Sequence, residues 1–274
     1  MTAPTGPVEP VVPDVLERVQ DGALWLTMNR PASFNAMSSA MNLALTGALR
    51  EAGARDEVRL VVLTGTGDAF CAGADISTDG SGDDAIDRFD VRAMDAANAL
   101  IHAIVDCPKP VLAAVNGIAA GVGCSAALAA DIIVARDSAS FLLAFARIGF
   151  MPDGGSSATV AAAIGRARAM RMALLAEPLS AQEAYDSGLV THLATTAEYD
   201  AVVATLVRRL AAGAPLAQSA TKRAINAATL TGPWGLDEAL ERERTGQTIL
   251  MRTADAAEGM RAFSEHRRPV FRGE

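Results

Sequence analysis

Val115-Asn116-Gly117-Ile118-Ala119-Ala120-Gly121-Val122-Gly123-Cys124-Ser125 follows the apolar, β-branched run Pro110-Val111-Leu112-Ala113-Ala114-Val115. It leads into the small-residue run Ser125-Ala126-Ala127-Leu128-Ala129-Ala130. The first run reads as a buried strand and the last as a buried helix. Between them lies a glycine-rich turn that opens on a helix N-terminus. Such a start offers unpaired N–H groups and the positive end of the macrodipole. Gly121 and Gly123 let a guest come close to that backbone. The guest this arrangement predicts is an anion, or an oxygen that becomes one during a reaction.

The rest of the composition narrows the possibilities. A chain of 274 residues, half of them hydrophobic and only 20% charged, can build a large core without disulfides or metals. A net charge of −8 argues against nucleic acid or an anionic membrane as partner. Cys71, Cys107 and Cys124 form no CxxC or Cys/His ligand pattern, so no metal site is read; their odd number suits a reducing cytoplasm. No run reaches the ~18 apolar residues of a membrane span, and no basic-then-apolar leader opens the chain. The expectation is a cytoplasmic protein.

Four prolines in Met1 to Pro13 predict a disordered tail over 1–13. Val15 to Val19, Asp21-Gly22 and Ala23 to Met28 predict a hairpin with a type I′ turn. A helix is expected over Asn35 to Ala54, with Ser38 or Ser39 as N-cap. Arg59 to Thr64 reads as a second buried strand and ends in another glycine-bearing loop, Gly65 to Asp75. A polar loop, Thr78 to Asp84, and a long helix, Ala85 to Cys107, come next. Further strands are expected at Asp131 to Ala135 and Leu189 to Thr191, with a short extended piece at Ser140 to Leu143. Ser180-Ala181-Gln182-Glu183 reads as a capped helix start. Alternating strands and helices over about the first 140 residues imply an α/β fold with a mostly parallel sheet. The last 120 or so residues are nearly all helical, and an assembly region is expected over 201–274, beyond a core at 14–200.

Both glycine-bearing loops sit at strand carboxyl ends, where such sheets bind ligands. The backbone N–H groups of Gly73-Ala74 and Gly121-Val122 could converge on one oxygen, as acyl chemistry requires. A second reading is also open: Gly121-x-Gly123-x-x-Ala126 fits the dinucleotide pattern G-x-G-x-x-A. It lacks an acidic strand end about 20 residues on.

Asn29-Arg30-Pro31 with Asn35-Ala36, Phe70 to Asp75, Val115 to Gly123, Gly188-Leu189-Val190 and Glu258 to Phe263 stand in order along the chain. Together they resemble the crotonase (enoyl-CoA hydratase/isomerase) superfamily over about residues 14–272. That resemblance implies a crotonase-like ββα spiral with a helical C-terminal trimerisation region, assembled as a homotrimer or dimer of trimers. It implies an acyl-CoA substrate and no separate cofactor. The thioester oxygen would lie between the N–H groups of Ala74 and Val122. Arg30, Ala36, Ala72, Gly73, Asp75, Ile76, Gly121, Ser125 and Phe145 would line the substrate. Phe263, His266 and Arg267 match a segment that reaches the CoA nucleotide of a neighbouring subunit in relatives; an exposed basic helix end is the other reading of them.

One departure carries more information than the matches. Hydratases of this family use two glutamates, and the matching positions here hold Ser125 and Phe145. Neither side chain can act as a carboxylate acid or base. The run Phe145 to Ser156, Gly165 to Met170 and Arg267 to Phe271 resemble the 1,2-epoxyphenylacetyl-CoA isomerases and related enoyl-CoA isomerases, where an acidic residue matches Asp153. Asp153 also suits an N-cap for the helix after it, and both roles can hold. The expectation is an enoyl-CoA isomerase using one carboxylate, with a hydratase or other lyase/hydrolase, or a non-catalytic acyl-CoA binder, as alternatives.

Overall fold

A computed structural model describes residues 12–76, 91–232 and 235–274. Most of the expected tail (1–11), the polar loop Thr78 to Asp84 and the first turns of the helix expected from Ala85 lie outside them.

β1 (Val15–Gln20) and β2 (Ala23–Met28) form the expected hairpin. Asp21 and Gly22 both take positive φ, 53° and 74°, as a type I′ turn demands. β3 (Leu60–Gly65), β5 (Val111–Val115), β7 (Ile132–Arg136) and β10 (His192–Ala194) complete a six-stranded sheet of order β1-β2-β3-β5-β7-β10. All its pairings but the hairpin are parallel. A second sheet, β4-β6-β8-β9, is built from β4 (Ala69–Cys71), β6 (Ile118–Ala120), β8 (Ser140–Leu142) and β9 (Leu179–Ser180). The chain thus passes from one sheet to the other at β3–β4, β5–β6 and β7–β8. The helices α2 (Val91–Val105), α3 (Gly121–Leu128) and α4 (Ser156–Leu175) follow these pairs in turn. This repeat is the ββα spiral.

Alternation along the strands decides what each face meets. Val61, Leu63, Val111, Ala113 and Val115 enter the main core with α1 (Ser39–Ala52) and α2. Their neighbours Leu60, Val62, Leu112 and Ala114 face Tyr199, Val203 and Val207 of α6 (Tyr199–Ala211). Both faces are therefore covered, which explains the unbroken apolar runs.

The sheet-to-sheet crossings are tied by two buried asparagines. Asn116 Nδ2 donates to the carbonyls of Gly65, Gly67 and Ala69 at 2.9, 2.8 and 3.1 Å. Asn35 Nδ2 donates to those of Thr66 and Ala69. At Gly117 a Cβ would lie 1.9 Å from the Asp68 carbonyl oxygen, so only glycine fits that crossing.

Local signals mostly hold, with shifted boundaries. Ser38 caps α1 by accepting from the Met41 N–H, but the helix starts at Ser39 because Phe34 and Asn35 turn through positive φ. Ser180 and Glu183 form the capping box of α5 (Ala181–Asp186). The strand expected at Leu189 to Thr191 begins instead at His192. The N–H groups of Leu189 and Val190 both bond back to the Ala184 carbonyl and close α5 before the chain can pair. α7 (Pro215–Thr229), α8 (Leu236–Leu250) and α9 (Ala254–Ser264) complete the C-terminal part. No helix among the described residues is long and apolar enough to cross a membrane.

Lys222 fastens α7 to this core. Its buried Nζ meets Asp131 Oδ2 at 2.8 Å and donates to the Ile104 carbonyl at 2.9 Å. Asp131 Oδ2 also accepts from the Val111 N–H at 2.7 Å, a structural role for both residues. Removing one partner of such a buried pair strands the other charge. Lys222→Met is expected to cost about 3 kcal/mol, read from urea unfolding; an unchanged midpoint would contradict it.

Candidate active site

β4 and β6 are parallel neighbours, so the loops leaving their carboxyl ends start side by side. Gly73 and Gly121 are the points of closest approach: a Cβ on Gly121 would lie 3.5 Å from the Gly73 Cα. Their φ values, +104° and +50°, are open to glycine and strained for other residues. The Gly73 carbonyl accepts from the Met37 N–H and the Asp75 N–H donates to the Met37 carbonyl. In extended backbone this turns the N–H of Ala74 to the opposite side. Val122 is the second residue of α3, in the first turn whose N–H groups have no intrahelical acceptor. Two backbone donors therefore sit on adjoining loops.

Other expected residues support these loops. Arg30 Nη1 reaches Asp75 Oδ2 at 2.7 Å and the Ala36 carbonyl at 2.6 Å, so Arg30, Ala36 and Asp75 form one brace. Ala72 and Ala74 are exposed at the rim and Ile76 is half-buried. Gly123 packs on β4, where a Cβ would meet Cys71 at 2.6 Å. The dinucleotide spacing thus has a packing cause. Buried Phe145, from the 3-10 turn Ala144–Ile148, comes within 3.9 Å of a Cβ placed on Gly121.

Ser125 links the glycine turn to Asp153. It is wholly buried, and its Oγ donates to the Asp153 carbonyl at 2.8 Å, with the Gly121 carbonyl 3.4 Å away. Asp153 stands before Gly154 and Gly155, both at positive φ. Its side chain does not cap α4, contrary to the capping alternative. The N-cap is Gly155, and the open N–H groups of Gly155 and Ser157 donate to Glu243 Oε2 and Oε1 at 2.6 and 2.9 Å. A carboxylate from α8 has taken the capping place. Asp153 is left buried, 6% exposed, with Oδ1 lacking a hydrogen-bond partner among the described residues. Burial first, and the Glu243 charge second, push its carboxyl from the ordinary 3.8 up to about 8. The Gln247 side chain pulls partly the other way.

Glu243 and Gln247 escape the sequence reading. The signal for them is the buried stripe Leu236, Ala239, Leu240, Glu243 and Gln247 of α8, an apolar helical face that ends in two polar residues.

The C-terminal residues remain apart. Gly259 of α9 packs on the Ile148 backbone of the 3-10 turn, but Phe263, His266 and Arg267 beyond it are exposed. Arg267 is engaged within its own chain, with Glu258 at 2.6 and 2.9 Å and with Glu265 at 2.5 Å. His102 lies beside Asp106 and Asp237, and His192 beside Thr191.

Strand pairs shared between two sheets, with glycine turns at adjoining strand ends, define a crotonase-type α/β spiral. Residues 18–274 match the family model described as enoyl-CoA hydratase/isomerase. The chain is 41% identical to a probable enoyl-CoA hydratase of Rhodobacter capsulatus, over 93% of this chain and 96% of that one. It is 35% identical to the 1,2-epoxyphenylacetyl-CoA isomerase of Escherichia coli (strain K12), over 95% and 98%. The crystal structure of an enoyl-CoA hydratase from Mycobacterium avium subsp. paratuberculosis K-10 superposes with a TM-score of 0.87 at 42% identity, covering 95% of this chain and 99% of that one. The protein is an enzyme of the enoyl-CoA hydratase/isomerase family.

Proposed function

We propose that the protein is an enoyl-CoA isomerase that moves a double bond with Asp153 as its single carboxylate. The observation that carries this reading is the buried Asp153 Oδ1, without a partner among the described residues and one hydrogen bond through Ser125 from the Gly121 turn. The thioester carbonyl of a 3-enoyl-CoA lies between the N–H groups of Ala74 and Val122. Asp153, ionised, removes a proton from C2. The electron pair spreads over C2, C3, C4 and the thioester oxygen, where the two N–H groups stabilise the dienolate. The protonated Asp153 returns the proton to C4 and leaves the 2-enoyl-CoA, with the carboxylate restored. Phe145 and the neighbouring Leu142 and Leu143, all buried, keep water from the reacting carbons. No cofactor enters beyond the CoA carried by the substrate.

Assembly as a homotrimer or a dimer of trimers through the helical C-terminal region belongs to the same proposal, with exposed Leu216, Ile225 and Ile249 as contact residues. So does a cytoplasmic location, which three free, buried cysteines suit.

The second reading is hydration of a 2-enoyl-CoA, favoured by the names of the relatives at 41% and 42% identity. An ultraviolet assay on purified protein separates the two. The expected result is 3-enoyl-CoA isomerisation roughly 100-fold faster than 2-enoyl-CoA hydration, since each missing general acid or base removes about 10²-fold or more. The base must be ionised and its carboxyl lies near 8, so kcat/KM for isomerisation is expected to rise with pH through that region. Hydration at an equal or greater rate would overturn the isomerase reading.

A further inference from the structure

We propose that Glu243 and Gln247 are positioning residues for the Asp153 carboxyl, clamping the segment that carries it and facing it with a fixed negative charge. The inference rests on the reading of Asp153 as the base. Glu243 and Gln247 are each 1% exposed and stand one helical turn apart on the same face of α8. Glu243 accepts from the N–H groups of Gly155 and Ser157, and Gln247 Oε1 accepts from the Met151 N–H at 3.0 Å. The clamp therefore holds the backbone on both sides of Asp153, while the Gln247 side chain favours the ionised form of the carboxyl. α8 can come this close because Gly246 faces Met151, where a Cβ would lie 2.3 Å from its sulfur.

The two carboxyls are not equivalent. Burial pushes the Glu243 carboxyl above its ordinary value, but it sits on two N–H groups at the start of α4, where hydrogen bonds and the helix dipole favour its negative charge. Among the described residues Asp153 Oδ1 has no such donor. Two like charges at one buried site cannot both form cheaply, so Glu243 ionises first and makes the ionisation of Asp153 harder. Among the described residues no other charge competes for this role. α3 carries no charged side chain; Arg147 of the 3-10 turn donates to the Ala176 carbonyl. On α2, Asp95 pairs with Arg244 and His102 lies beside Asp106 and Asp237. Asp255 of α9 accepts from the Arg272 and Gly273 N–H groups, and Arg242 acts on Glu243 itself.

The charge and the clamp are separable by substitution. Glu243→Gln keeps the length of the side chain and removes its charge. It is expected to move the midpoint of the kcat/KM–pH profile down by about one unit, a tenfold change in proton affinity. Gln247→Leu removes a group that favours the ionised form, and its midpoint is expected to move up. Glu243→Asp keeps the charge but shortens the reach to Gly155 and Ser157, so kcat is expected to fall with the midpoint unmoved. A purely structural role would lower kcat in all three variants and shift no midpoint. An infrared titration of the protonated carboxyl, taken as the difference from Asp153→Asn protein, follows Asp153 without any turnover. Opposite shifts of that titration in Glu243→Gln and Gln247→Leu support the inference. If the titration shifts and the activity profile does not, the positioning stands and the assignment of Asp153 as base falls. An Asp153 titration unmoved in both variants overturns the inference, and Gln247→Leu alone decides it if Glu243→Gln does not fold.

Discussion

Asp153→Asn is expected to lower 3-enoyl-CoA isomerisation by roughly 10³-fold while changing CoA-thioester affinity by no more than about threefold. Asparagine has the shape of aspartate but cannot accept and return a proton. The N–H groups of Ala74 and Val122, the oxyanion donors of the proposal, are untouched, so ground-state binding is expected to persist. The same variant is expected to be more stable than the parent near neutral pH. With its carboxyl raised from 3.8 to about 8, folded Asp153 holds a proton that the unfolded chain releases. Below pH 4 this carboxyl costs the fold nothing. Above that the cost grows by ~1.4 kcal/mol for each pH unit and is complete above about pH 8, a few kcal/mol in all. Asparagine does not titrate, so its unfolding free energy lacks that decline. Thermal melts of the two proteins across this pH range give the measurement. A variant that loses activity without a gain in stability at pH 8 would mean that Asp153 is not held as a buried acid. Retained turnover would remove it from the chemistry altogether.

The fold was legible wherever one residue type had one local job. Asp21-Gly22 demanded a type I′ turn, Ser38 and Ser180 demanded helix starts, and the β-branched runs demanded covered strands. Apart from the extended piece expected at Ser140 to Leu143, which is β8, the second sheet was not legible from periodicity. Its strands, Ala69–Cys71 and Ile118–Ala120 among them, are three residues or shorter, too short to carry a period. Only the resemblance implied the spiral they form. The glycine loops were readable because Gly73 and Gly121 punctuate strand ends, and their approach across β4 and β6 agrees with that reading. Asp153 was visible as a lone carboxyl in a glycine turn. What sets its environment was not visible, because Glu243 lies 90 positions along the chain, on a helix whose register over Gly154-Gly155 is a tertiary fact. The capping alternative failed for the same reason. A remote carboxylate satisfies Gly155 and Ser157 better than the short Asp153 side chain could, and Asp153 is left without that bond.

Ser125→Glu, which restores the carboxylate that hydratases of the resemblance carry at this point, is expected to destabilise the protein by about 3–5 kcal/mol and to create no hydratase. Ser125 is 0% exposed. Its Oγ lies 2.8 and 3.4 Å from two carbonyl oxygens, those of Asp153 and Gly121. A carboxylate entering that space would meet acceptors in place of donors and would stay buried without a cation. Nor is there room. A Cβ on Gly154 would already lie 2.7 Å from the Ser125 Cβ, so the Asp153-Gly154 backbone occupies the volume a longer side chain needs. Filling it would displace the carboxyl on which the proposed isomerisation rests, so both activities are expected to be low. Ser125→Ala separates the two causes: it removes one hydrogen bond to the Asp153 carbonyl, at about 1 kcal/mol, and leaves the space as it is. That variant is expected to fold and to isomerise at a moderately reduced rate. Urea unfolding and the paired ultraviolet assays on both variants make the test. If Ser125→Glu unfolds at the parent's midpoint and hydrates 2-enoyl-CoA at the rate the parent isomerises, then the site has the room and the polarity denied to it here. The choice between the two reactions would then rest on one side chain and not on the Asp153 backbone packed against it.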